Sequence, residues 1–133
     1  MNVPHDIEIL LHKLLTERRL TRRMALARAL SQAMKHRTTP IIRGTRAIFL
    51  WEGSSKHVGI IGDWTQWRYH VPMRRVRCTS WFYHSQEFPY DARLQYKFVL
   101  DDTFWQNDPR NPRVSHEGFG TNSEFYMPGY KDE

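Results

Sequence analysis

Thr38-Thr39-Pro40 divides the chain into two stretches of different grammar, and that division limits the folds open to it. Residues 6 to 37 hold no Gly or Pro and consist largely of good helix formers, Leu, Arg, Ala, Met, Lys and Glu. Apolar side chains recur at Ile7, Leu10, Leu11 and Leu14. After the polar run Thr16-Glu17-Arg18-Arg19 they recur again at Leu20, Met24, Ala27, Leu30 and Met34. That spacing keeps one apolar stripe per segment and predicts either one bent helix or two helices meeting near residues 17–21, with Thr21 available as a cap. From Arg43 onward the pattern becomes short runs rich in aromatic and β-branched residues, separated by turn signals. The runs are Thr45–Trp51, His57–Gly62, Trp81–Phe88, Leu94–Leu100, Phe104–Gln106 and Ser123–Met127, with a weaker one at Val71–Arg77. Glu52-Gly53-Ser54-Ser55 and Asp101-Asp102-Thr103 read as hairpin turns. An amphipathic sheet must cover its apolar face, and this stretch holds no helix to do so. The expected fold is therefore mainly β, an antiparallel sandwich (43–133) preceded by a basic, amphipathic helical arm (1–42).

Charge follows the same division. The first 46 residues carry ten Lys and Arg against three Asp and Glu, while the remaining 87 carry ten against eleven. The net charge of +6 thus belongs to the arm, with Arg18, Arg19, Arg22, Arg23 and Arg28 around its polar side, and the body is nearly neutral. A body of this size supports one hydrophobic core. No apolar run approaches the roughly 20 residues of a membrane span, and the first residues do not read as a secretory leader, so a cytoplasmic location is expected. The lone Cys78 excludes an internal disulfide and a cysteine-based zinc site, and is expected to pack as a small side chain.

Catalytic signatures are missing from the pattern. There is no Gly-x-Ser-x-Gly elbow, no phosphate loop and no His-Glu-x-x-His helix, and the seven histidines are scattered without ligand spacing. No enzyme activity, cofactor or metal is expected of these residues. What remains is a density of Trp beside polar and turn residues: Gly62-Asp63-Trp64-Thr65-Gln66-Trp67, Lys97, Trp105-Gln106-Asn107-Asp108-Pro109 and Gly120-Thr121-Asn122. A flat indole offers a broad apolar face, which suits sugars, whose rings have apolar CH faces edged by hydroxyls. Trp51 and Trp81, inside strand runs, read as core. Trp67 and Trp105, beside turns, read either as core or as ligand-facing.

The segment from Thr45 to Met127 resembles a glycogen-binding module, carbohydrate-binding module family 48, of the early-set, immunoglobulin-like type. Phe49-Leu50-Trp51, Val58 to Asp63 leading into Trp67, Pro72-Met73, Tyr96 to Asp101, Trp105 with Asp108-Pro109, and Gly120-Thr121-Asn122 carry the resemblance. It implies an α-glucan site in which Trp67 and Trp105 stack on sugar rings while Lys97 and Asn122 hydrogen-bond hydroxyls. One departure bears on this site: Asp101-Asp102-Thr103-Phe104-Trp105 is one residue longer than the family pattern and lacks its glycine. A two-residue loop would turn Trp105 inward opposite Phe98, whereas a three-residue loop sets it opposite Val99 on the Lys97 side. The three-residue loop is favoured, because Phe104 then joins Leu100 on the core face and Asp tolerates the left-handed backbone. The second departure is a Gly-Thr to Asn spacing one residue shorter than usual.

Asp108-Pro109-Arg110-Asn111-Pro112-Arg113, Gly118-Phe119-Gly120-Thr121-Asn122-Ser123 and Met127-Pro128-Gly129-Tyr130 further resemble the N-terminal domain of bacterial esterases of the enterochelin-esterase and feruloyl-esterase type. That resemblance implies an α/β-hydrolase whose catalytic residues would lie beyond Glu133, so none is carried over. The leading expectation is a non-catalytic module that binds an α-glucan or serves as the accessory domain of such an esterase. The alternative is an interaction module whose arm pairs with a second copy of the chain, with a vestigial sugar site. Binding of nucleic acid by the arginine-rich arm is disfavoured, because the aromatic cluster is not on the arm.

Overall fold

The computed structural model describes residues 3–116 and 120–132, with side chains from Asp6 onward; the Gly118-Phe119 pair named above lies outside the described residues. The arm forms two helices, α1 (Val3–Thr16) and α2 (Leu20–Ala33), and a 3-10 turn (Met34–His36) ends the second. The N-cap of α2 is Arg19, without a side-chain capping bond, so Thr21 lies inside the helix and does not cap it. Among the described residues ten strands follow: β1 (Ile41–Arg43), β2 (Arg46–Glu52), β3 (Val58–Gly62), β4 (Val71–Pro72), β5 (Arg74–Arg75), β6 (Trp81–Glu87), β7 (Arg93–Leu100), β8 (Phe104–Gln106), β9 (Val114–Ser115) and β10 (Asn122–Tyr126).

The strands make two antiparallel sheets, one ordered β1-β2-β6-β5 and one ordered β4-β3-β7-β10-β9, with β8 also paired to β7. The fold is the expected mainly-β sandwich. Besides Thr21, and β1 and β9, which fall in none of the predicted runs, three details differ from the sequence reading. Glu52-Gly53-Ser54-Ser55 is a turn but not a hairpin: β2 and β3 lie in different sheets, so this segment crosses the sandwich. The weak run Val71–Arg77 splits, β4 pairing with β3 and β5 with β6, so the chain changes sheets around the buried Met73. Cys78 is exposed, in the turn after β5 at φ +64°, and does not pack inside.

The core between the sheets is aromatic. Phe49, Phe82, Phe88, Tyr96, Phe98 and Phe125 are buried there with Trp51, and Phe49 meets Tyr96 edge-on at 5.0 Å. Trp64 packs against this cluster, stacked on Phe49 and edge-on to Phe88. A second core lies on the other side of β2. Ile7, Leu11, Leu14, Leu30 and Met34 from the arm bury with Ile41, Ile48, Leu50, Val76 and Trp81 from the first sheet. Five successive residues of β2, Ala47 to Trp51, are therefore buried, because both of its faces are covered. Of the surfaces the stripe on the arm was open to, its own sandwich is the one it covers. The stripe fails at one place: Leu20 and Met24 are exposed, while Arg23, one turn along, is buried.

Polar contacts link the two cores. Ser31 Oγ accepts from Trp81 Nε1 and donates to Glu52, which also pairs with Arg110 at 3.0 Å. The Arg110 guanidinium lies 5.0 Å from the Trp81 ring centre. Asp108 is the buried hub of the Asp108-Pro109-Arg110-Asn111 turn. Its carboxylate accepts from Tyr96 Oη at 2.7 Å, Thr39 Oγ1 at 2.6 Å and the Arg110 backbone N–H at 2.9 Å, and its own N–H donates to Ser123 Oγ. Burial raises the Asp108 carboxyl above the ordinary 3.8, against the lowering effect of its hydroxyl and amide donors.

Candidate functional site

The site is organised by β7. Tyr96, Phe98 and Leu100 point inward, so Gln95, Lys97 and Val99 take the outer face of the second sheet. On one edge β7 pairs with β3, setting Ile61 opposite Lys97 and Gly59 opposite Val99. On its other edge it pairs first with β10 and then with β8, which lie end to end. An Asn107 Nδ2 bond to Thr121 Oγ1, at 2.9 Å, spans the break between them.

The β7–β8 loop is the three-residue form. Asp101 and Asp102 both adopt positive φ, at 51° and 64°, the left-handed conformation that such a loop requires. Asp101 Oδ1 accepts from the backbone N–H groups of His57 and Lys56, and these bonds, His57 first, hold its carboxyl below the usual range. The register sets Trp105 opposite Val99, on the same face as Lys97, and leaves it 47% exposed. Phe104 falls opposite Leu100 as expected, but it is 61% exposed and not part of the core. The sandwich interior ends at Leu100, so a side chain one strand further out on that face has nothing to cover it.

Trp67 reaches the same face from the other edge. A 3-10 turn, Asp63–Thr65, follows β3, and Gln66 and Trp67 then both take positive φ, 58° and 59°. A bulky residue rarely holds that conformation, and here three bonds enforce it. The Trp67 backbone N–H donates to Gly62 O, its Nε1 donates to Asp63 Oδ1 at 2.9 Å, and Asp63 Oδ2 accepts from the Gln95 backbone N–H at 2.8 Å. One carboxylate thus ties the indole to the middle strand. Gly62 is required beneath it, since a Cβ there would lie 2.6 Å from the Gln95 carbonyl oxygen and 2.7 Å from the Trp64 ring.

The outcome is a pair of indoles, Trp67 and Trp105, with ring centres 6.3 Å apart and planes inclined by 25°. Lys97 and Asn122 share the face with them. Asn122 sits at the start of β10 next to Ser123, which points inward opposite Tyr96, and its Nδ2 donates to Gln95 Oε1 at 3.0 Å. The two loops that deliver the indoles meet a second time where His70 contacts Asp102 at 3.1 Å. Trp51 and Trp81 are buried as expected, at 6% and 1% exposure. Asp63 and Gln95 were not singled out from sequence. Asp63 stands four residues before Trp67, and Gln95 shares the alternation of Lys97. Among the described residues no group of three or more His, Cys, Asp or Glu could hold a metal ion, and no helix is long and apolar enough to cross a membrane.

One open face of this small antiparallel sandwich thus carries a clamped indole, Trp67, beside a second, Trp105, with a strip of Lys, Gln and Asn next to them. Residues 45–123 match the family model described as the glycogen recognition site of AMP-activated protein kinase, and the chain belongs to that family. Among solved structures it is similar to the enterobactin esterase of Shigella flexneri, crystallised with 2,3-dihydroxy-N-benzoyl-serine. The identity is 18% and the TM-score 0.54, covering 65% of this chain and 30% of that one. The ferric enterobactin esterase of Salmonella typhimurium is similar at 16% identity and a TM-score of 0.56, with coverage of 65% and 32%. At these identities the likeness is one of fold, and the chain spans less than a third of the length of either esterase. No curated protein sequence matches.

Proposed function

We propose that the outer face of the second sheet binds an α-glucan, with Trp67 and Trp105 as the stacking surface and Lys97 and Asn122 as hydrogen-bonding partners of sugar hydroxyls. The observation that carries this reading is the indole pair itself. Its members come from loops separated in sequence and are held near-parallel on an open face. Two stacking contacts of roughly 3.5–4 Å each would need about 7–8 Å between rings. A separation of 6.3 Å leaves no room for a sugar between them, so the indoles act as one shelf against which successive glucose rings lie. Because Trp67 Nε1 is engaged by Asp63, Trp67 offers its face and no donor. Hydroxyl recognition falls to Lys97, to the Asn122 amide oxygen and to the Gln95 side chain beside them.

The likeness in fold to the enterobactin esterases supports a second part of the proposal, that the module acts as the accessory domain of a hydrolase. Titration with maltoheptaose or a cyclodextrin should quench tryptophan fluorescence saturably, and Trp67→Ala should abolish the response. No change at millimolar sugar would remove the glucan reading while leaving the accessory role standing.

A further inference from the structure

The helices cover the outer face of the first sheet, so the arm lies on the opposite side of the sandwich from the indole shelf. There a cavity of about 480 Å³ is lined by residues from the end of α1, the 17–19 connection, and β5 with its following turn. The charged residues along it are Arg18, Arg23, Arg75 and Arg77 with a single carboxylate, Glu17.

Arg23 is only 4% exposed. Its Nη1 donates to the carbonyls of Leu14 and Glu17, at 2.8 and 2.7 Å, and its Nη2 to the carbonyl of Arg77. Its Nε is buried without an acceptor. Glu17 is turned to local use, its Oε2 accepting from the Arg19 backbone N–H at 2.9 Å. The Arg75 guanidinium lies 5.5 Å from the Phe82 ring centre, on the inter-sheet side of β5, so this arginine lends the cavity its backbone rather than its charge. Among the described residues, none of the four arginines forms an ion pair with a carboxylate.

A buried guanidinium satisfied only by backbone carbonyls, with an orphan N–H and two like charges, Arg18 and Arg77, around the same cavity, is electrostatically incomplete. A monovalent carboxylate would leave most of the excess positive charge standing. A tetrahedral dianion presents oxygens in several directions to planar guanidinium donors and compensates two charges at once.

We propose that this cavity is a binding site for a phosphate group, free or carried on a small phosphomonoester. The site is independent of the glucan reading, using none of its residues and lying on the other side of the molecule.

The test is thermal unfolding of the whole chain in inorganic phosphate, in glucose 1-phosphate, and in sodium chloride at matched ionic strength. Phosphate should raise Tm with the logarithm of its concentration once that exceeds Kd, by about 5 °C at roughly ten times Kd, beyond the effect of chloride. A greater effect of glucose 1-phosphate identifies an ester as the ligand, and a greater effect of inorganic phosphate identifies the free ion. Arg18 and Arg77 are exposed, so R18Q/R77Q keeps the core and should weaken the response at least about tenfold in apparent Kd. Arg28→Gln, outside the cavity, should leave it unchanged. A Tm that follows ionic strength alone, or an equal phosphate response in R18Q/R77Q, would overturn the proposal.

Discussion

Asp63 makes two bonds at once: Oδ1 accepts from the Trp67 indole and Oδ2 from the Gln95 backbone amide. Asp63→Ala frees the indole to rotate while leaving the aromatic core untouched. It should weaken maltoheptaose binding about tenfold, the scale of a lost charge-assisted bond, with little change in Tm. Asp63→Asn, whose single oxygen can still accept from Trp67, should fall between. Equal affinity in all three would show that the indole needs no positioning. At Asp108 the expected effect is on stability and its pH dependence. Its carboxyl is raised in the folded state above an unfolded value near 3.8, so the protonated form is the one the fold favours. That contribution is complete below pH 3.8 and is lost as the pH rises through the folded value. Denaturation midpoints compared between pH 7 and 4 should therefore rise on acidification more in the wild type than in Asp108→Asn, and parallel profiles would contradict this. Individual residues were unevenly legible in the sequence. The direction of Trp105 followed from one residue of loop length, because strand alternation is strict. The burial of Arg23 did not, because its acceptors, Leu14, Glu17 and Arg77, are brought together only by tertiary packing.

Among the elements, β2 shows why the helices and the sheets are energetically one object. Ile48 and Leu50 face the arm while Phe49 and Trp51 face the sandwich interior, and all four are buried. Leu14 and Leu30, both fully buried against that outer face, should each cost about 2–5 kcal/mol when cut to Ala, measured by chemical denaturation. A chain beginning at Arg43 uncovers Ile48, Leu50, Val76 and Trp81, and should aggregate or unfold at lower temperature than the full chain. An unchanged Tm would show that the second core contributes nothing. Most strands were readable from alternation and turn chemistry, since β6, β7 and β8 carry enough β-branched and aromatic residues to mark themselves. The two-residue strands β4, β5 and β9 were not resolved as separate elements. Each is too short to show a period, and its sheet is chosen by whichever neighbour offers a free edge.

For the molecule as a whole, the sequence division into basic arm and neutral body becomes a division of surfaces. Arginines gather where helices and the first sheet meet, and the indole shelf occupies the outer face of the second. Sugar binding on that shelf can be followed directly, because the five tryptophans supply their own internal controls. In a proton–nitrogen correlation spectrum each indole N–H gives a separate resonance. On adding maltoheptaose, those of Trp67 and Trp105 should shift or broaden saturably together, while those of the buried Trp51 and Trp81 and the core-packed Trp64 stay in place. Shifts confined to Trp51, Trp64 or Trp81, or no shift in any of the five at millimolar sugar, would contradict a glucan site on this face.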